Sequence, residues 1–337
     1  MSFDPLVCRN RHLDSAPLRL AFKGQRDYAS WRRKVGAKLR GLLGDDPEES
    51  PLDLAVEWEH EHPDFTETRF AITVEPDCRM PCHLLIPKKG EAPFPAVICL
   101  QGHSTGMHIS LGRAKFPNDE KDLSGDRDFA IQAVAEGYAA LAIEQRAFGE
   151  RADGRPKEVR HVDHPCHHAS MTALLVGRTM VRERCWDVSR AIDALESFDR
   201  VDASRVGIMG NSGGGTISYF AGAIEKRIKI AMPSCYVCTF RDSIGRIDHC
   251  ADNYVPGILK WFEMGDLACL IAPRPIVVVA GRHDDIFPFD AVQETFEKIQ
   301  AIYHAAGALE NCRLVVGEGG HQFYRKAWKD FRELAGW

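Results

Sequence analysis

The stretch RVGIMGNSGGGTISYFAGAI, residues 205–224, decides the fold. Its apolar start, VGIM, reads as the end of a buried strand, and TISYFAGAI as a helix of small and apolar residues. Between them Gly210-Asn211-Ser212-Gly213-Gly214 fits G-x-S-x-G, with a further glycine at 215. A serine on so sharp a strand-to-helix turn has its Oγ lifted above the sheet, and the flanking residues must be tiny because backbone and helix crowd them. The other uses of a glycine-rich turn fit less well. A Walker loop needs Gly-Lys-Ser/Thr, which does not follow, and a dinucleotide fingerprint needs G-x-G-x-x-G in the first βα turn.

A second match to the same pattern lies upstream, Gly102-His103-Ser104-Thr105-Gly106 within CLQGHSTGMH (99–108). About 0.1 chance matches are expected in a chain of this length, so neither is dismissed on frequency. Context separates them. Ser104 also follows an apolar strand, PAVICL (95–100), but the next residues, MHISLGRAKFPNDEKDLSGD, carry Gly112, Pro117 and a polar cluster, which predict a loop. Ser212 is therefore the expected nucleophile, and the helix following it brings N–H groups and positive dipole to a developing oxyanion.

Outward from this turn the chain alternates short apolar runs with longer helical patterns, the signature of a mostly parallel sheet with helices on both faces. YAALAIE (138–144), RVGIMG (205–210), IKIAMPSCYV (228–237), PIVVVAG (275–281) and CRLVVGEG (312–319) are expected strands. Val181, Cys185, Val188, Ile192 and Leu195 mark a helix by their spacing, and FDAVQETFEKIQAIYHAAG is a second amphipathic one. Earlier, LAVEWEHE, TRFAITVE and CHLLIP read as strands, and residues 17–43 as a basic helix. The expected organisation is an N-terminal helical extension over 1–60 and a catalytic domain over 61–337, with segments 146–178 and 238–273 covering the pocket.

The bulk properties narrow the function. The 337 residues are 45% hydrophobic and 27% charged, ordinary for a globular protein, and the formal net charge of −5 argues against nucleic acid or an anionic membrane as main partner. No apolar run approaches the roughly 18 residues of a membrane helix, and MSFDPLVCRNRHLDS lacks an apolar signal-peptide core. Eleven scattered cysteines suggest reduced thiols, and hence a cytoplasmic protein.

A serine hydroxyl needs a base to take its proton and a group to orient that base. On a sheet of this kind the partners follow in the order Ser, Asp/Glu, His, each beyond a strand end. His321 follows CRLVVGEGG directly, with Gly319 and Gly320 free to swing the imidazole inward. The acid is expected in RHDDIFPFD after PIVVVAG. Asp284 is preferred there and Asp285 is the alternative. Asp290, which looks like a helix N-cap, and Asp242 in CTFRDS are more distant candidates.

Together VGIMGNSGGG, GRHDDIFP and GEGGH resemble the α/β-hydrolase superfamily. EQRAFGER (144–151) and the D-x-I-x-P form of Asp284 to Pro288 are similar to its dienelactone-hydrolase-like and acetyl-xylan-esterase-like branch, over roughly residues 65–337. The resemblance implies Asp284 as the acid. Because serine stands where dienelactone hydrolases carry cysteine, it implies ester or deacetylase chemistry. It also implies an oxyanion hole from the N–H of Gly213, after the nucleophile, and of His103, after Gly102. Gln101 stands where the family usually has histidine.

The expected activity is hydrolysis of carboxylic esters, as a carboxylesterase or carbohydrate deacetylase, through an acyl-enzyme on Ser212. The partner is a small-molecule ester, no cofactor or metal is needed, and a homo-oligomer stays open. Other activities compete with this. A peptidase or amidase would share the chemistry. A metal-assisted hydrolase would use His161, His164, Cys166, His167 and His168, although adjacent histidines face apart on regular structure and no H-E-x-x-H appears. An inactive hydrolase fold could serve only for binding. Cys235-Tyr236-Val237-Cys238 lacks the second pair of a zinc site and is expected as two semi-buried thiols. Tyr254, Trp261 and Phe262 are candidates for an aromatic pocket wall or for core packing.

Overall fold

The computed structural model describes residues 3–152 and 165–337. Among the described residues nine strands form one sheet: β1 (Ala55–Glu61), β2 (Phe65–Glu75), β3 (Cys78–Pro87), β4 (Phe94–Leu100), β5 (Ala139–Ile143), β6 (Val201–Asn211), β7 (Ile228–Ser234), β8 (Ile276–Gly281) and β9 (Cys312–Gly317). Their order is β1-β2-β3-β5-β4-β6-β7-β8-β9. β1 to β3 run antiparallel to one another, β3 pairs antiparallel with β5, and every pair from β5 to β9 is parallel. The edge strand β1 is largely exposed and carries Glu57, Glu59 and Glu61, charges that oppose edge-to-edge pairing.

The apolar runs are continuous because the parallel strands are covered on both faces. In β4, Ala96, Ile98 and Leu100 enter one core while Val97 and Cys99 enter the other. β8 repeats the pattern with Ile276, Val278 and Ala280 against Val277 and Val279.

Ten α-helices are described: α1 (Pro5–Asp14), α2 (Tyr28–Leu43), α3 (Asp119–Ser124), α4 (Phe129–Ala135), α5 (Pro165–Leu175), α6 (Met180–Leu195), α7 (Gly213–Ile224), α8 (Ala268–Ile271), α9 (Phe289–Ala305) and α10 (Ala327–Ala335). Side chains of α2, α6, α7 and α9 fill the first core, and those of α4 and α10 the second. None of these helices is long and apolar enough to cross a membrane.

Two expectations change. The basic helix begins at Tyr28, not at 17. Asp27 caps it by accepting from the Ser30 N–H at 2.9 Å, and Leu18 (φ 40°) and Gly24 (φ 71°) break the preceding segment. Helix α9 starts at Phe289 after an extended Pro288, so Asp290 stands in its first turn and is not the N-cap.

Candidate active site

Ser212 sits between β6 and α7 with φ 80° and ψ −111°. A non-glycine residue there costs on the order of 1–3 kcal/mol, so the surrounding packing must impose it. The packing is tight on both sides. A Cβ on Gly214 would lie 2.0 Å from the Leu100 carbonyl oxygen, and one on Gly215 would lie 2.4 Å from that of Ser234. The glycines are small because α7 starts directly against the ends of β4 and β7. The Ser212 N–H is held by the Ser234 carbonyl at 2.9 Å.

Three strand ends bring the predicted side chains together. His321 Nε2 lies 2.8 Å from Ser212 Oγ, and His321 Nδ1 lies 2.8 Å from Asp284 Oδ2. Asp284 Oδ1 accepts from the N–H groups of Ile286 (3.0 Å) and Phe287 (3.1 Å). Burial pushes the Asp284 carboxyl upward, but the hydrogen bond and charge of His321, with those two N–H donors, hold it below the usual carboxylate range. The Phe287 ring stacks on His321 at 5.7 Å between centroids and 15° between planes, fixing the imidazole plane. This arrangement suits proton transfer from a hydroxyl to an oriented imidazole.

The alternative acids are placed differently. Asp285 and Asp290 are exposed, and Asp242 is bound to Arg241 and Arg246. Cys235 and Cys238 are both buried free thiols. Cys235 lies beside Asp284 and His321, and burial, with the Asp284 charge, pushes its thiol well up.

The loop after β4 closes on the serine. A Cβ on Gly102 would meet the Asn211 carbonyl at 2.6 Å and Ser212 Cβ at 2.8 Å, so only glycine lets the loop approach. His103 follows, its ring against Gly213: a Cβ there would lie 3.0 Å from His103 Nδ1. Ser104 Oγ is buried without a hydrogen-bond partner among the described residues, and a short 3-10 turn, Met107–Ile109, comes after it.

EQRAFGER pins this loop from below. Gln101 Nε2 donates to Glu144 Oε1 at 2.8 Å, Gln145 Nε2 donates to the Gln101 carbonyl at 2.5 Å, and the Met107 N–H donates to Glu144 at 3.1 Å. An amide at position 101 thus serves as a donor to a buried carboxyl. Arg146 and Arg151 anchor the segment through the buried Asp187, with Arg151 Nη1 at 2.6 Å from it.

Burial pushes Glu144 from the usual 4.5 to about 7, against the pull of the Met107 and Glu150 N–H groups. Between those two values the folded chain keeps a proton that the unfolded chain has lost, so stability falls as pH rises through the window. Glu144→Gln, which cannot ionise, is expected to flatten the fall of Tm between about pH 4.5 and 7. For any reaction at Ser212 it should also cost about 10–100-fold in kcat by loosening the loop that carries Gly102 and His103. Identical Tm–pH slopes in the two proteins would remove Glu144 from this role.

A second imidazole–carboxylate pair backs the loop. His103 Nε2 lies 3.0 Å from both oxygens of Asp252, and Arg184 Nη1 lies 2.7 Å from Asp252 Oδ2. Burial opposes charge on His103, yet the Asp252 charge and hydrogen bond raise it to about 9. The Phe148 and His103 rings meet in a T-shaped contact at 4.9 Å between centroids, and the Arg184 guanidinium lies 4.1 Å from the Phe148 ring centroid. Sequence reasoning did not find Asp252, Arg184, Glu144 or Phe287. Arg184 and Asp187, like Arg190, left a signal as charges among the mostly apolar buried residues of α6, while Asp252 lies in an irregular segment with no periodicity.

Of the predicted pocket coverings, His161 and His164 lie outside the described residues. Cys166 is buried at the start of α5, His167 is half-buried and His168 exposed. The aromatic wall does not form from the suggested residues. Phe262 is in the core, Tyr254 is exposed, and Trp261 is covered by Lys38 at 4.0 Å and Arg19 at 5.4 Å, both from the N-terminal segment.

The Abhydrolase family profile matches residues 15–315. The candidate hydrolase YtaP of Bacillus subtilis (strain 168) is 29% identical over 296 residues, covering 86% of this chain and 93% of that protein. The 4-O-methyl-glucuronoyl methylesterase of Hypocrea jecorina (strain QM6a) is 27% identical over 228 residues, 60% of this chain and 42% of its own length. Among solved structures, the acetyl xylan esterase candidate BF1801 of Bacteroides fragilis NCTC 9343 superposes with a TM-score of 0.78 at 16% identity, covering 94% of this chain and 83% of that one. The glucuronoyl esterase of Solibacter usitatus gives 0.67 at 16% identity, over 95% and 96%.

Proposed function

Because this chain belongs to the Abhydrolase family, we propose that it hydrolyses carboxylic esters through an acyl-enzyme on Ser212. The observation that carries this reading is the relay of two 2.8 Å contacts from Ser212 through His321 to Asp284, built on a strained turn. In the proposed mechanism Ser212 Oγ attacks the ester carbonyl as His321 Nε2 accepts its proton. Asp284 accepts from Nδ1 and stabilises the imidazolium. The oxyanion forms beside the N–H groups of Gly213 and His103, each typically worth about 2.7–4 kcal/mol in the transition state. The imidazolium then protonates the departing alcohol, and water regenerates the serine by the same route.

The substrate class is a carbohydrate-linked ester, cleaved on either its acyl or its alcohol side. The relatives named for glucuronoyl methyl esters and for acetyl xylan support this class. The branch resemblance thus leans to its acetyl-xylan-esterase-like side. Eleven free thiols fit a reducing compartment.

A panel of esters tests the reading: 4-nitrophenyl acetate and butyrate, acetylated xylo-oligosaccharide and the methyl ester of a glucuronic acid, each on wild type and Ser212→Ala. Turnover of at least one short ester by wild type alone is expected, together with labelling of Ser212 by a fluorophosphonate. A chain that neither labels nor turns over any of them is an inactive fold, and the proposal fails.

A further inference from the structure

We propose that His103, Cys166, Cys250 and Asp252 form a four-donor site for a thiolate-binding divalent cation of the zinc class, built behind the oxyanion loop and separate from the Ser212 relay. One ligand atom from each lies within 4.8 Å of every other. The donors come from three places that the chain has to bring together: His103 from the loop after β4, Cys166 from the start of α5, and Cys250 with Asp252 from a 3-10 turn over Ala251–Asn253.

The ion network of Arg184, Asp252 and His103 accounts for the carboxylate. It does not account for two thiols from unconnected segments converging on the same imidazole and carboxylate. The Cys166 sulfur lies within 4.8 Å of both the Cys250 sulfur and a ring nitrogen of His103. Thiols are poor partners for a carboxylate, whereas two sulfurs, one imidazole and one carboxylate oxygen are a soft-to-borderline donor set of the kind zinc takes.

The dimensions fit. Bonds of about 2.3 Å to sulfur and 2.0–2.2 Å to nitrogen and oxygen give tetrahedral edges of about 3.3–3.8 Å. The donors need to draw together by no more than about 1.5 Å at the widest edge and, at the 3.0 Å His103–Asp252 contact, to part by a few tenths. Charge fits as well. Two thiolates and Asp252 carry three negative charges and Arg184 one positive, and a divalent cation brings the sum to zero with His103 neutral. On binding, both thiol protons and the Nε2 proton of His103 leave to solvent.

Outer partners are in place. Arg184 Nη1 orients Asp252 Oδ2 at 2.7 Å, leaving Oδ1 for the metal, while Phe148 and Met180 pack beside Cys166 in an apolar cluster. Thr216 Oγ1 on α7 donates to Asn253 Oδ1 at 2.7 Å, tying the donor turn to the helix that starts at the nucleophile. With four protein ligands the site is closed, so the ion fixes the loop that carries His103 and does not activate water.

The second cluster of such donors among the described residues, Cys235, Asp284 and His321, is already committed to other bonds. His321 is committed to Ser212, and Cys235 Sγ donates to the Gln322 carbonyl at 3.2 Å.

The test uses the full chain without a histidine tag. Zinc is measured in protein purified without chelator, and Co²⁺ is added to protein stripped by dipicolinate. About one zinc per chain is expected, together with a thiolate-to-cobalt charge-transfer band and the intense visible bands of tetrahedral cobalt. Changes to outer-shell partners alone cost about 10–100-fold in affinity, so Cys166→Ser combined with Cys250→Ser should cost at least about 100-fold and abolish the charge-transfer band. Weak octahedral cobalt bands without charge transfer in the wild type would overturn the site, and that result needs no variant to fold. Equal zinc retention in the double variant, or a Cys166–Cys250 disulfide in freshly purified protein, would overturn it too. Every readout is of metal or sulfur, so the outcome is independent of whether the ester reading stands.

Discussion

Ser212→Ala is expected to lower kcat for ester hydrolysis by about 10⁶-fold, the scale on which a serine hydrolase loses activity when its nucleophile goes. A residual rate on the order of 10³–10⁴ over water should survive, because the oxyanion N–H groups and the pocket remain. The fold should not change. Alanine keeps the Cβ that Ser212 already carries at φ 80°, so the strain of the turn is the same, and the N–H bond to the Ser234 carbonyl is untouched. Tm is the control for this, and KM should stay within a few-fold. Ser104→Ala is the matched comparison, since Ser104 lies in the other G-x-S-x-G. Its Oγ is buried without a partner among the described residues, so its removal breaks no hydrogen bond found there. Most of the activity should be retained. If the two variants lost activity equally, the choice between the two serines would have to be reopened.

The sequence argument for Ser212 over Ser104 rests on local physics. A helix must start within one residue of Ser212, and TISYFAGAI can supply it, whereas the loop after Ser104 contains Pro117 and a run of polar residues. The mostly parallel sheet was legible for a similar reason. Strands buried on both faces are continuous apolar runs, as in PIVVVAG, where alternate residues fill different cores. The order of strands β5 and β4 within the sheet has no local signal, since it depends on pairing across long separations. The supporting groups were hidden for the same reason. Glu144 looks like any acid at a strand end until the fold places Gln101 and Met107 on it. Asp252 and Arg184 are 68 residues apart and meet only in three dimensions. Cys166 and Cys250 likewise belong to segments whose sequence has no period. The histidine-rich run attracted a metal reading by composition, and among its described donors, Cys166, His167 and His168, only Cys166 belongs to the cluster described above.

The acid offers a sharper test, because two adjacent aspartates differ only in what the fold does with them. Asp284→Asn is expected to lower kcat by about 10⁴-fold with KM little changed. The reason lies in how the carboxylate is held. Its Oδ1 accepts from two N–H groups, Ile286 and Phe287, and its Oδ2 faces His321 Nδ1. An asparagine must keep its oxygen toward those two donors, which turns its NH₂ toward His321. The amide then donates to Nδ1 and holds the imidazole proton on Nε2, the nitrogen that has to receive the proton of Ser212. The geometry is kept and the tautomer is wrong. Asp284→Ala should be less damaging to the tautomer but poorer in orientation, so the two variants should differ in kcat while sharing a similar KM. Asp285 is exposed beside it, and Asp285→Asn should stay within a few-fold of wild type. Steady-state kinetics on one short ester with all three variants decides the assignment. A larger loss at 285 than at 284 would transfer the role to Asp285 and leave the 2.8 Å contact of His321 with Asp284 as packing alone.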